Sequence, residues 1–271
     1  WEAVPSGSGE GVTGIFGSSP EQVACADDTA LPSVPVAAMG STGGLAEALA
    51  CIHRYGFVAV TGVARDGTEE LVRPDGNDTA YQSIPLPAHT DGTYFQDPPG
   101  LQVFHAVATA PSGGASMLVD GFAVARTLQA QDPAAFRFFA HTDLPFRFLD
   151  DEHFLLAWQR VFRLDSHGRL LRFAYNNDDR APFGGATAGM DDPGQSFYRH
   201  LPSLLAAIRS AQAELWFQLT PGLALIFDNQ RVLHARSGFS VAPGQGRVLE
   251  GAYVNEEDWK SKLRVLGAGA G

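Results

Sequence analysis

The chain has 271 residues, 45% of them hydrophobic and 18% charged, with a formal net charge of −11. That apolar content supports a sizeable core and excludes a disordered chain. The acidic balance argues against nucleic acid or an anionic membrane as a partner. The two cysteines, Cys25 and Cys51, are too few for a disulfide framework and form no CxxC pair. No apolar run reaches membrane-span length and no signal peptide is visible, so the expectation is a soluble, cytoplasmic protein.

Residues 1–43 are rich in Gly, Ser, Ala and Pro without a period, and read as an N-terminal arm before a domain over 44–271. "GLAEALACIHRYGFVAVTGV" (44–63) predicts a helix that stops at Gly56 and then a strand. Residues 65–80 are polar and loop-like. From Leu101 the chain alternates short apolar runs with turn signals. "LQVFHAVA", "SMLVDGF", "LPFRFLD", "FRLD" and "LLRFAYN" are strands, with a short helix "FAVARTLQAQ" after the second and a hairpin turn at "SHG". "QSFYRHLPSLLAAIRSAQAELWF" is the one long amphipathic helix. "WFQLT", "LALIFDN", "RVLHAR" and "RVLEGAYV" complete a mainly β chain with flanking helices. Many short strands and no βαβ alternation indicate a sandwich or double-sheet jelly roll.

The chemistry concentrates at "AHTDGTYF". His89 and Asp91 lie two positions apart at a strand end, so both side chains point to one side. His234, late in the chain on "RVLHAR", supplies a third ligand. Two His and one carboxylate on one face of a metal form the facial triad of non-haem Fe(II) oxygenases, with sites left open for co-substrate and dioxygen. A 2-oxo acid co-substrate needs a fixed cation for its far carboxylate. Arg247, 247 − 234 = 13 positions after His234, is placed beside the metal strand across a hairpin. Ser116, after the double glycine of "SGGAS", can add a hydroxyl, and Arg236 serves either that site or a structural carboxylate. HxD alone is a weak signal, since His141-Thr142-Asp143 repeats it; the flanking residues favour the first triplet.

"NDTAYQSIPLPAHTDGTYFQDPPGLQVFHAV", "GGASMLVDGF", "RFAYNNDDRA" and "DNQRVLHARSGF…RVLEGAYV" closely resemble the γ-butyrobetaine dioxygenase and trimethyllysine dioxygenase family, Fe(II)/2-oxoglutarate enzymes of the taurine dioxygenase superfamily. The likeness runs from about Leu45 to the end. It implies a double-stranded β-helix (jelly roll) core, iron on His89, Asp91 and His234, 2-oxoglutarate on Arg247 with Ser116 assisting, and turnover with O₂ that ascorbate stimulates. It matches Tyr81 and Tyr253 to aromatics facing a trimethylammonium group, where cation–π attraction operates. It matches Asn176 to an amide at the substrate's polar end. Asp78 stands where the trimethyllysine enzyme has an acid, which favours a small amino-acid-like substrate such as trimethyllysine.

Three departures from the family stand out. Residues 1–43 lack the Cys and His for the family's zinc module, so no structural zinc is expected. The segment before "DTAY" is short, and Gly92 replaces an aromatic after the metal triplet. The same ferryl-type chemistry serves hydroxylation, desaturation or cyclisation of another small molecule. A zinc hydrolase with the same ligands and a non-catalytic jelly-roll binding protein are the readings from other classes, and a homodimer is compatible with all of them.

The remaining histidines, His53, His105, His141, His153, His167 and His200, read as structural. Asp120 reads as a helix cap. The acidic runs at 150–152 and 178–179 read as solvated loop charge.

Overall fold

The computed structural model describes residues 31–65, 83–183, 192–240 and 247–268. In chain order, β1 (Ser33–Pro35), α1 (Val36–Met39), α2 (Thr42–Tyr55), β2 (Phe57–Thr61), β3 (Leu86–His89) and β4 (Leu101–Ala108) come first. Next are β5 (Ser112–Gly113), β6 (Ser116–Asp120), α3 (Gly121–Gln131), α4 (Pro133–His141), β7 (Leu144–Leu149), β8 (Phe154–Gln159), β9 (Phe162–Leu164) and β10 (Leu170–Phe173). The last set is α5 (Pro193–Ile208), β11 (Glu214–Phe217), β12 (Ala224–Asp228), β13 (Val232–Arg236), β14 (Phe239–Ser240), β15 (Val248–Val254) and α6 (Glu256–Ala268).

Two sheets carry the site. The larger has the order β1-β2-β12-β4-β15 and the smaller β11-β6-β13-β3. All pairings are antiparallel except β1 with β2. Phe57, Leu225 and Phe227 of the larger sheet share one apolar core with Leu118, Leu215 and Val232 of the smaller, so the sheets pack face to face. Helices α2 and α6 cover the outer face of the larger sheet through Leu49, Ile52 and Trp259. Helices α3, α4 and α5 cover the smaller sheet and the β9–β10 hairpin through Leu128, Phe139, Phe197 and Leu204.

Local chemistry sets the ends of these elements. Ser41 caps α2 by accepting from the Gly44 N–H at 3.0 Å. Gly56 ends that helix at φ 87°, and a Cβ there would stand 2.4 Å from Val232 Cγ2. The predicted helix over 195–217 stops at Ile208 instead. Glu214–Phe217 alternate in burial and add an edge strand to β6, pairing Glu214 with Val119 through Phe217 with Ser116. A period of two won there over one of 3.6. Helix α4 is capped by Asp132, whose carboxylate accepts the Ala135 N–H, with Pro133 in its first turn, a start signal that lies in the sequence itself. β8 carries its apolar alternation toward solvent, and α6 is a charged helix anchored by Trp259. Within the proposed arm, Ser33–Pro35 pair with Ala59–Thr61.

Candidate active site

The triplet His89-Thr90-Asp91 is fixed by its middle residue. Thr90 is buried; its N–H donates to the Tyr175 carbonyl at 2.8 Å and its hydroxyl accepts from the Tyr175 N–H at 3.0 Å. His89 and Asp91 flank that anchor and face the cleft. Gly92 then turns the chain at φ 70°, and a Cβ would meet Pro99 Cδ at 2.8 Å. The missing side chain after the metal triplet therefore answers to the backbone turn as well as to pocket width.

His234 arrives on β13, directly opposite His89 of β3 in register. Nε2 of His89 lies 3.3 Å and Nε2 of His234 3.6 Å from Asp91 Oδ1. One ligand atom from each of the three residues falls within 4.8 Å of the others, the grouping found among the described residues that could hold a metal ion. His141, of the second triplet, ends α4 outside this group.

The protonation states suit a cation. Nδ1 of His89 lies 2.7 Å from the Pro87 carbonyl, which assigns it the proton and leaves the Nε2 lone pair facing Asp91 and His234. Burial opposes charge on His89, but the Asp91 carboxylate and the Pro87 carbonyl outweigh it and raise its pKa. His234 sits among Phe104 and Phe227, at 5.5 and 5.1 Å, and burial pulls it down to about 3. Burial by itself would push the Asp91 carboxyl up; the histidines and the Tyr253 hydroxyl hold it well below the usual carboxylate range. Two neutral-capable imidazoles and an ionised carboxylate are a fitting donor set for a divalent metal.

The second carboxylate oxygen is engaged elsewhere. Asp91 Oδ2 accepts from Gln102 Nε2 at 2.5 Å and from the Tyr253 hydroxyl at 2.8 Å. Only Oδ1 is directed at the histidines. Asn229, 1% exposed, clamps the Asp91 backbone: its Oδ1 accepts the Asp91 N–H at 2.8 Å and its Nδ2 donates to Asp91 O at 3.0 Å and Pro99 O at 3.1 Å. Sequence reasoning missed Gln102 and Asn229. Gln102 had a signal, a polar residue alternating inward with Phe104 on an apolar strand.

A cationic end lies along the same cleft. Ser116 and Arg236 face each other across β6 and β13, and Arg236 shares a strand face with His234. Arg236 Nη2 donates to the Ile84 carbonyl at 3.0 Å. Arg247 also lines the cleft, and both guanidiniums lie over Phe239, at 4.8 and 5.8 Å. Burial, with Arg236 nearby, pushes Arg247 down to about 10. A buried and a partly buried guanidinium in one recess make it electropositive and suited to an anion. The expected route was wrong, however: β15 pairs with β4 of the larger sheet, not with β13. β13 and β15 belong to different sheets, so Arg247 meets the metal strand across the sandwich.

The model for the taurine catabolism dioxygenase TauD, TfdA family matches residues 44–253. This chain belongs to that family. Among TauD/TfdA relatives, a trimethyllysine dioxygenase of Meyerozyma guilliermondii is 36% identical over 209 residues, covering 75% of this chain and 50% of the relative. The human γ-butyrobetaine dioxygenase is 31% identical over 195 residues, covering 71% and 50%. The chain spans about half the length of the curated relatives it matches. A taurine dioxygenase from Burkholderia xenovorans shares the fold, with a TM-score of 0.57 at 16% identity, covering 79% of this chain and 82% of that one. The crystal structure of AAD-2 in complex with Mn(II) and N-oxalylglycine gives the same score and identity, covering 79% and 88%.

Of the expected substrate residues, Asp78 and Tyr81 lie outside the described residues. Asn176 lines the cleft, with its Oδ1 accepting the Asp178 N–H at 3.0 Å. Tyr253 stands at the mouth, 57% exposed, with its hydroxyl on Asp91. The reading of 178–179 as solvated charge fails for Asp179. Its Oδ2 accepts the Thr93 hydroxyl at 2.7 Å, and burial pushes it up to about 6. It lines the same cleft as Asn176. Asp120 caps α3 as expected and also pairs with Arg231 at 3.1 Å. No helix among the described residues is long and apolar enough to cross a membrane.

Proposed function

We propose that this chain is an Fe(II)- and 2-oxoglutarate-dependent dioxygenase with a double-stranded β-helix core within residues 44–271. Its reaction is hydroxylation of an unactivated C–H in a small, amino-acid-like substrate, with a quaternary ammonium such as trimethyllysine preferred. The observation that carries this reading is the convergence of His89, Asp91 and His234 beside an arginine-lined recess in one cleft. A zinc hydrolase would have no use for that recess. The names of the relatives support the substrate class.

His89, Asp91 and His234 would hold the iron; with 2-oxoglutarate chelated to it, that iron supplies the oxygen activation that no side chain can perform. The chain's own part is positioning. Arg247 holds the far carboxylate of 2-oxoglutarate by charge-assisted hydrogen bonds, with Ser116 and Arg236 beside it. Gln102 and Tyr253 engage Asp91 Oδ2, so Oδ1 is the oxygen that would be offered to the ion. The Pro87 carbonyl holds His89 in the tautomer that offers Nε2. Asn176 and Asp179 line the cleft where a polar or cationic substrate end is received, and the exposed ring of Tyr253 offers a π face to an ammonium at the mouth.

The test is succinate formation from 2-oxoglutarate with Fe(II) and ascorbate under air, with trimethyllysine, with γ-butyrobetaine and with neither. Strong stimulation by trimethyllysine, lost in His89→Ala, is the expected result. Slow iron-dependent turnover raised by neither compound would leave the oxygenase and remove the substrate assignment. Absence of turnover with iron bound would remove the oxygenase.

A further inference from the structure

Asp179 carries a carboxylate into the cleft without a cation to meet it. It lies in the loop after β10, lines the cleft with Asn176, and is only partly exposed. It takes part in no ion pair among the described residues. A carboxylate drawn out of water is stabilised by hydrogen bonds or by an opposite charge.

The hydrogen bonds are present. Thr93, 0% exposed, donates its hydroxyl to Asp179 Oδ2 at 2.7 Å. The Asn176 side chain hydrogen-bonds the same carboxylate. The backbone is held too, since the Asp179 carbonyl accepts the Arg147 N–H of β7 at 2.7 Å. Both side-chain partners are neutral, so they fix the direction of the carboxylate without cancelling its charge. A carboxylate offers about four lone-pair positions, which leaves acceptor capacity for a ligand.

The opposite charge is missing. Arg180, next in the chain, carries its guanidinium onto the rings of Phe183 and Phe197, at 4.6 and 3.6 Å, and none of these three residues lines the cleft. His89 and Asp91 both act on Asp179 electrostatically, so it stands toward the metal end of the cleft. Tyr94 and Phe148, chain neighbours of the two residues that hold Asp179, pack at 5.2 Å and also line the cleft. Apolar walls strengthen a charge pair formed beside them. The ligand that fits is a cation with N–H donors. A quaternary ammonium has none and is suited instead to a π face.

We propose that Asp179 determines specificity by receiving the α-ammonium of an amino-acid substrate. The assignment rests on the reading of this cleft as taking an amino-acid-like substrate, and names the residue that separates such a substrate from its des-amino analogue. Calorimetric binding to the chain loaded with Mn(II) and 2-oxoglutarate tests it, using trimethyllysine and the analogue that lacks only the α-ammonium. Asp179→Asn keeps the shape of the side chain, and circular dichroism follows its folding. The wild type should bind trimethyllysine about 30-fold or more tighter than the analogue. Asp179→Asn should lose about that factor for trimethyllysine and change the analogue by no more than about threefold. Asp78→Asn, run beside it, should leave the preference for the α-ammonium in place. Should Asp179→Asn fail to fold, Thr93→Val removes the hydroxyl that aims Oδ2 and should show a smaller loss with the same selectivity. A variant that binds trimethyllysine as the wild type does, an equal loss for both ligands, or a preference abolished by Asp78→Asn alone would overturn the assignment and leave the substrate class standing. A wild type that binds neither ligand would remove the substrate class and the assignment with it.

Discussion

Removing Asn229 probes how the fold aims its carboxylate ligand. The side chain makes three hydrogen bonds to backbone, to Asp91 N, Asp91 O and Pro99 O, at 2.8, 3.0 and 3.1 Å, and it is 1% exposed. Asn229→Ala leaves one donor and two acceptors buried beside a small void. A net hydrogen bond is worth about 1 kcal/mol and an orphaned buried group costs about 1–3 kcal/mol, so a loss of about 3 kcal/mol is expected. For a chain of this size that corresponds to a fall in Tm of about 5 °C. Asn229→Asp should be worse than Ala, because a carboxylate oxygen then faces the two carbonyls that the amide served. Both variants should also bind metal more weakly, by about 10- to 100-fold, since the Asp91 turn is no longer held. Thermal unfolding and titration with Mn(II) read the two effects separately. A Tm within a degree of wild type, or an Asp variant more stable than Ala, would refute the clamp.

Other consequences follow from the same geometry. Arg247→Ala should raise the KM for 2-oxoglutarate by about 30-fold or more, for loss of a charge-assisted contact worth about 2–3 kcal/mol, with Arg247→Lys recovering part of it; initial rates against 2-oxoglutarate concentration decide. Gly56→Ala forces a left-handed position onto an L side chain and drives it into Val232, and should cost about 2 kcal/mol or more in urea unfolding. Tyr253→Phe removes one of the two hydrogen bonds to Asp91 Oδ2 and should leave Tm nearly unchanged while weakening Mn(II) binding a few-fold. Asp228 is pushed up to about 6 by burial, above its ordinary 3.8. Because the folded state holds this proton more tightly, its contribution is complete below pH 4 and is lost as pH rises through 6. The stability difference between wild type and Asp228→Asn, measured by urea unfolding from pH 4 to 7, should therefore shift in favour of Asn by up to about 3 kcal/mol.

The metal centre was legible in the sequence because its spacing is local where locality matters. His89 and Asp91 are two apart at a strand end, and His234 sits on an apolar strand whose flanks identify it. The strand and helix signals between Leu45 and Val63, and those of β4, β6, β12 and β13, were equally clear because their apolar periods agree with their burial. β8 was not, because its apolar face points outward, and the run at 214–217 was misjudged because pairing with β6 overrode the helical pattern before it.

The sequence by itself determined the donor set, the neighbouring arginines and the family, since each depends on residue type and on spacing along one or two strands. Tertiary structure alone decided what those residues face. It seats His234 opposite His89 across β3 and β13. It carries Arg247 over from the other sheet and buries Asp179 beside the cleft. It also turns Gln102, Tyr253 and Asn229 onto a single aspartate from positions 11, 162 and 138 residues away. Contacts of that separation are set by how two sheets stack and where the chain crosses between them, and no local period encodes them.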